Sequence, residues 1–372
     1  RRVSCVDERI ERGLARAREL GEQGLQVAAY LDGEQIVDAW TGDGVDGSTL
    51  FPIFSVTKAI TATAVHLQAE RGLVEYDAPL ARYWPEYGTR GKEAVTVRQV
   101  LSHRAGVPQM PVGVTPQQLT DWDWMVERLT EVEPLAEPGT RNTYLSMTFG
   151  WLLGEVVRRT DPQHRPFGRF VREEICEPLG MDSFWIGVPP AEQARISTLT
   201  FPEPPPEPPP GAPVLAAVPP QVRLTPELLN RPEIQGACLP AVGGISNARS
   251  LVRFFAMIAN GGELDGVRLL SEERVLSFLE PRPDFDAHDD TYGRRMPVGV
   301  GGFWIESPGV TGAESEGHRL LGHTGAGGSI AWADLDTGLS IAFCHDRMLT
   351  LTGEHPFAAL ADAVRAVAAD RS

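Results

Sequence analysis

LFPIFSVTKAITATAVHLQAERG, residues Leu50 to Gly72, changes character at Ser55. The run LFPIFS leads into VTKAITATAVHLQAERG, where Ile60, Ala64 and Leu67 keep helical spacing and Gly72 offers a C-terminal stop. Ser55 is therefore expected to open a largely buried helix. The tetrad Ser55-Val56-Thr57-Lys58 is an S-x-x-K, and the i, i+3 spacing puts a hydroxyl and an amine on one face. A serine hydroxyl is a poor nucleophile near neutral pH unless a base takes its proton, and a desolvated lysine with a lowered pKa can do so. The helix N-terminus favours negative charge, so the Ser55 N–H is a candidate oxyanion donor. Four-residue patterns also recur by chance, and the ordinary reading of such a serine is a helix cap. Composition moves the balance. Lys58 and Lys92 are the only lysines, and arginine supplies the other 32 of 34 basic residues. Arginine cannot give up its proton, so Lys58 holds a role that arginine could not fill.

Outward from this helix, DERIERGLARAREL (7–20) reads as an amphipathic helix, and LQVAAYLDGEQIVDAWTG (25–42) as two strands around an Asp32-Gly33 turn. From Val74 to Gly236 the pattern is helical segments between long loops, among them the strongly periodic TFGWLLGEVVRRT (148–160). Within it FPEPPPEPPPG (201–211) is too rich in proline for helix or central strand and reads as a solvated polyproline connector. After Ala237, SNARSLVRFFAMIANGG reads as a helix, VGVGGFWIE (298–306) as a strand, SIAWADLDTGLSIAFCHD (329–346) as two strands, and 355–369 as a final helix. Strands at both ends and helices between predict an α+β fold: residues 1–73 and 237–372 form one α/β domain, and 74–236 form an inserted, mainly helical domain.

With 42% hydrophobic and 23% charged residues the chain has an ordinary globular balance, and its net charge of −16 argues against nucleic acid or an anionic membrane as partner. No segment reaches the ~18 apolar residues of a membrane span. RRVSCVDERIERG has no apolar run fit for a signal peptide, so a cytoplasmic protein is expected. Cys5, Cys176, Cys238 and Cys344 are widely spaced and read as buried small apolar residues, and the histidines show no metal-ligand spacing. No cofactor or metal is expected.

Three elements in order then carry a resemblance that spans nearly the whole chain. FSVTK (54–58), PGTRNTYLSMTFGWLLGEVV (138–157) and GHTGAGG (322–328) are similar to the S-x-x-K, P-G-x-x-x-x-Y-S-N and K-T-G elements of the class C β-lactamase-related proteins, within the serine β-lactamase and penicillin-binding-protein superfamily. LSHRAGVP (101–108) and EPLGMD (177–182) resemble further pieces of that family. The resemblance implies a β-lactamase/transpeptidase-like fold, with an antiparallel sheet flanked by helices. It implies Ser55 as nucleophile, Lys58 and Tyr144 as the pair that moves its proton, the backbone N–H groups of Ser55 and Ala326 as oxyanion donors, and Ser146, His323 and Gly325 as substrate contacts. Two departures stand out: histidine replaces lysine at the head of the K-T-G element, and Ser146 replaces asparagine. A largely neutral imidazole holds a substrate carboxylate less well than an ammonium, though it can donate a hydrogen bond. Gly325, Gly327 and Gly328 would leave room for substrate at an edge strand.

The implied function is an esterase of the family VIII carboxylesterase type acting on a small-molecule ester or acyl donor. An acyltransferase passing the acyl group to an amine or alcohol acceptor shares every residue named. β-Lactamase or D-alanyl-D-alanine peptidase activity ranks third, and a non-catalytic binding protein last. Ser246 and Ser329 lie in G-x-S-like stretches; a helix start and a strand suit them better than a nucleophile elbow. Trp122, Trp124 and the loop 106–114 could line an acyl pocket, but core packing is the simpler reading of the tryptophans. The acidic run Asp284 to Asp290 reads as a solvated loop.

Overall fold

A computed structural model describes residues 6–307, 309–310 and 317–372; Cys5 lies outside the described residues. The chain opens with α1 (Glu8–Glu19), the hairpin β1 (Leu25–Leu31) and β2 (Glu34–Thr41), the short strand β3 (Phe51–Pro52) and α2 (Thr57–Glu70). Its middle holds α3 (Trp122–Thr130), α4 (Thr148–Thr160), several shorter helical turns and β4 (Phe184–Ile186). Then follow β5 (Gly244–Ser246), α5 (Ala248–Ala259), β6 (Leu320–Thr324), β7 (Ile330–Asp334), β8 (Leu339–His345) and α6 (Ala358–Ala369).

Period-two alternation along the strands dictates the layering. In β1, Val27 and Ala29 join Ile10 and Leu14 of α1 and Leu360 and Val364 of α6 in one buried cluster. Ala28 and Tyr30 belong to the cluster on the opposite face, with Phe254 and Phe255 of α5. The sheet runs β2-β1-β8-β7-β6, antiparallel at every pairing, so the N-terminal hairpin joins the three C-terminal strands through the β1–β8 pairing and β6 lies at an edge. Asp32 and Gly33 both have positive φ, as the tight β1–β2 turn requires. Helix α2 is buried from Thr57 to Gln68, polar residues such as Lys58, Thr61 and His66 included, so it runs through the core with no solvent face over that stretch. Helices of 74–236 share one continuous apolar cluster with the inner face of the sheet, through residues such as Val156 and Phe170. Among the described residues no helix is long and apolar enough to cross a membrane.

Several expectations need correction. The segment 298–306 is not a strand: it folds back through a turn at Gly301-Gly302, and Trp304 bridges both Val298 and Gly322. Ser246 ends β5 rather than starting a helix; Asn247 caps α5, its side chain accepting from the Ser250 N–H at 2.9 Å. Ser329 precedes β7 instead of lying in it. The acidic run is not simply solvated. Asp284 pairs with Arg104, Asp286 with Arg295 and Asp290 with Arg141, while Asp289 is fully buried. Trp122 packs against Gly154 of α4 and donates to Glu155, so it belongs to the helical core. The proline-rich stretch lies outside every helix and strand, tied down where Thr350 Oγ1 donates to the Glu203 carbonyl.

Candidate active site

A tight turn sets Ser55 in place. Residues 54–56 form one 3₁₀ turn and α2 begins at Thr57, so Ser55 precedes the helix and is not its cap. Phe54 takes a φ of +49°, a left-handed conformation that costs a non-glycine residue about 1–2 kcal/mol. Its neighbours hold it there. Ile53 N–H donates to the Gly244 carbonyl at 2.9 Å, Thr57 Oγ1 donates to the Phe54 carbonyl at 2.6 Å, and Gly244 N–H donates to Thr57 Oγ1 at 2.8 Å.

Lys58 lies one turn further along α2, fully buried. Its Nζ is 2.9 Å from Ser55 Oγ, 2.7 Å from the Ser146 carbonyl and 3.3 Å from the Ala241 carbonyl. Burial holds its pKa well below that of an ordinary lysine. A neutral amine has two N–H donors and one lone pair. Two carbonyls take the donors, which leaves the lone pair for the Ser55 O–H.

Tyr144 is held from three sides. His103 stacks on its ring at 4.2 Å and accepts the Leu145 N–H on Nδ1 at 2.8 Å; Thr291 Oγ1 donates to the Tyr144 carbonyl at 3.1 Å; and Lys58 Nζ is 4.9 Å from the ring centroid. Burial pushes the phenol pKa up, and the hydrogen bond with Ser55 pulls it back. The amine is thus biased neutral and the phenol protonated, an acid and a base set by environment around one hydroxyl.

The Gly322–Gly328 segment forms the facing wall, and its glycines do more than clear a path for substrate. A Cβ at Gly325 would lie 2.7 Å from Phe54 Cβ and 3.2 Å from the Ser55 amide nitrogen; one at Gly327 would lie 2.3 Å from the Phe54 ring. Glycine is needed so that this turn can press against the Ser55 turn. Ala326 is exposed at its tip. His323 differs from the expected donor to substrate: its side chain is fully buried, and Nδ1 is 2.7 Å from the Thr324 carbonyl. A carbonyl only accepts, so the ring's proton is committed to the chain's own backbone. Burial first, and nearby Lys58 second, lower its pKa to about 3, so it carries no charge near neutral pH. Ser146 uses its carbonyl on Lys58, while its Oγ is 2.8 Å from the Tyr292 hydroxyl. Ser246 and Ser329 are buried, with Ser246 Oγ donating to the Asn247 carbonyl.

The structure therefore brings Ser55, Lys58, Tyr144, Ser146 and Gly325 into one cluster. Sequence reasoning missed Asp289, Thr291 and Tyr292. The buried Asp289 carboxylate accepts from the Thr291 N–H at 2.9 Å; burial raises its pKa to about 6, with backbone donors, Tyr144 among them, pulling it back. An acidic run with a threonine and a tyrosine at its end was the signal available.

The beta-lactamase family model matches residues 6–369. The chain belongs to the beta-lactamase family. Similar proteins fill the same frame. The esterase/beta-lactamase LipL of Mycobacterium tuberculosis is 34% identical over 362 residues, covering 88% of this chain and 78% of that protein. A family VIII carboxylesterase crystal structure superimposes with a TM-score of 0.86 at 29% identity, covering 97% of each chain. A penicillin-binding-protein homologue from Caulobacter crescentus gives 0.85 at 31% identity, covering 98% of this chain and 99% of that one. The beta-lactamase/transpeptidase-like fold expected from the motifs is thus the observed one.

Proposed function

We propose that this chain is a serine hydrolase that cleaves carboxylic esters through an acyl-enzyme on Ser55. The observation that carries the reading is the coordination of Lys58 Nζ: two backbone carbonyls and the Ser55 hydroxyl leave a desolvated amine with its lone pair on the nucleophile. In acylation, Ser55 Oγ gives its proton to Lys58 and attacks the ester carbonyl carbon. The oxyanion that forms faces the backbone N–H groups of Ser55 and Ala326. As the C–O bond breaks, the Tyr144 phenol protonates the leaving alkoxide and recovers a proton from the Lys58 ammonium. Water then attacks the acyl-enzyme, its proton passing to the same pair, and Ser55 is released with the acid.

Substrate class follows from the lack of a fixed charge at His323. Neutral, buried and bound to its own backbone, the His323 imidazole offers a substrate carboxylate no compensation for lost water, whereas an uncharged ester avoids that penalty. The similarity to a family VIII carboxylesterase and to an esterase/beta-lactamase supports an ester first and leaves β-lactams as the competitor. The test is kcat/KM for a short p-nitrophenyl ester and for nitrocefin, with mass spectrometry of the trapped acyl-enzyme. Expected are ester turnover far above nitrocefin turnover, an adduct on Ser55, and no turnover in Ser55→Ala. An adduct on another serine overturns the assignment, and comparable nitrocefin hydrolysis overturns the substrate class. His323→Lys should move preference toward substrates that carry a carboxylate. Products formed with added alcohols or amines separate hydrolysis from acyl transfer.

A further inference from the structure

Directly behind the proposed oxyanion turn lies a buried pair of ionisable side chains that the mechanism above does not use. His345, the last residue of β8, places Nε2 2.9 Å from the Gly327 carbonyl, one residue beyond Ala326. Its Nδ1 is 3.0 Å from Glu22 Oε2. Side-chain exposure is 1% for His345 and 0% for Glu22, so water does not solvate either. Arg347 lies 3.5 Å from the other Glu22 oxygen, the Phe357 ring meets the imidazole edge-on at 5.0 Å, and the nearby His355 is held neutral, its pKa lowered to about 4 chiefly by burial.

Hydrogen-bond inventory fixes the roles. A carbonyl only accepts, so His345 Nε2 donates to Gly327. An ionised carboxylate also only accepts, so the Nδ1–Oε2 contact must hold a second proton, shared between imidazole and Glu22. Burying such a pair is a poor way to gain stability, because apolar residues of similar volume usually serve as well or better. Phe343 and Phe357 stack at 4.7 Å beside it, so apolar packing is already established there. What the pair does that apolar side chains could not is grip a carbonyl. The gripped carbonyl belongs to the turn closed by Gly325 N–H to the Ser329 carbonyl and Gly328 N–H to the Gly325 carbonyl, both at 2.9 Å, and Leu349 N–H also donates to Gly327 at 3.3 Å. Phe54 presses on that turn from the Ser55 side.

We propose that the buried Glu22–His345 pair positions the Gly325–Gly328 turn, and with it the Ala326 amide, for binding the oxyanion. The inference rests on the reading of Ser55 as nucleophile and Ala326 as its partner donor. His345 is a positioning residue: it acts on the reaction through Gly327.

Two amide substitutions separate its contacts. In His345→Gln the side-chain nitrogen can occupy the place of Nε2 and keep Gly327 while losing Glu22; in His345→Asn it can occupy the place of Nδ1 and keep Glu22 while losing Gly327. Ester kcat, KM and Tm are measured for both, with Ser55→Ala alongside. Removing one oxyanion donor typically costs ~10²–10³ in kcat, so a displaced donor should make His345→Asn about ten- to a hundredfold slower than His345→Gln, with KM little changed. Equal kcat in the two variants at similar Tm overturns the inference and leaves the Ser55 reading intact. Turnover surviving in Ser55→Ala overturns that reading instead. Should His345→Asn not fold, the wild-type protein decides: labelling Ser55 with a phosphonate, whose oxygen imitates the oxyanion, should shift the ¹⁵N resonance of His345 Nε2. An unmoved resonance overturns the inference.

Discussion

Lys58 and Lys92 are both fully buried, both surrounded by backbone carbonyls, and both have pKa values lowered chiefly by burial, yet the two sites ask opposite things of an amine. Lys92 Nζ donates to three carbonyls, those of Thr89 at 3.0 Å, Thr130 at 2.8 Å and Val132 at 2.5 Å. Three acceptors call for three donors, which only an ammonium provides. Thr130 ends α3, so the negative end of a helix dipole supports that charge. At Lys58 one of the three partners is a hydroxyl that can itself donate, and the lysine sits in the first turn of α2, where the dipole opposes a cation. One exchange, hydroxyl for carbonyl, and one reversal of helix polarity separate a structural lysine from a candidate base.

The largest effects are expected at Lys58. Lys58→Met should lower ester kcat by ~10²–10⁴, the usual cost of losing a general base, while Tm changes little or rises. Lys58→Arg should be nearly as damaging, because it keeps charge and loses the removable proton. An arginine variant with near wild-type kcat would make Lys58 a charge partner only. Tyr144→Phe comes next, with a loss of about 10² in kcat and less effect on KM. An unchanged kcat returns Tyr144 to a packing role.

Lys92→Met should behave in the opposite way: kcat per folded molecule stays near wild type, and stability falls by about 2–4 kcal/mol because three carbonyls lose their donor. Urea unfolding alongside active-site titration checks it. Damage to kcat without loss of stability would erase the distinction between the two lysines. The smallest effect sharpens the contrast through pH. A lysine whose folded pKa is depressed binds fewer protons folded than unfolded between that pKa and the usual value of ~10.4, so it makes stability rise with pH across that window. Lys58 is displaced further than Lys92. Lys58→Met should therefore remove more of the rise in stability between pH 7 and pH 9 than Lys92→Met does.

Both lysines stand in a chain that otherwise uses arginine, and each holds a place arginine cannot take. Lys92 needs a compact, tetrahedral donor, and Lys58 needs one that can lose a proton. Sequence flagged Lys58 only because Ser55 stands three residues before it. The acidic run 284–290 departs from a solvated loop for a related reason: charge pattern records what could be solvated, and burial of Asp289 against the Thr291 and Tyr292 amides depends on packing beside Tyr144. VGVGGFWIE read as a strand because its apolar run is continuous, but Gly299 and Gly301 fit closely against Phe278 and its carbonyl, and the chain turns there.

By itself the sequence determined the period-two strands at both ends, the buried helix behind Ser55, the α4 boundaries at Thr148 and Thr160, and the order of the three motif elements. Each of those follows from local periodicity or spacing, which the chain carries without knowing its neighbours. Tertiary structure alone decided which carbonyls meet Lys58, that His323 turns its proton onto Thr324, and that Glu22 reaches His345 from 323 residues away in the chain. Hydrogen-bond partners and burial set protonation, and both are properties of contacts that exist only once distant segments have packed together.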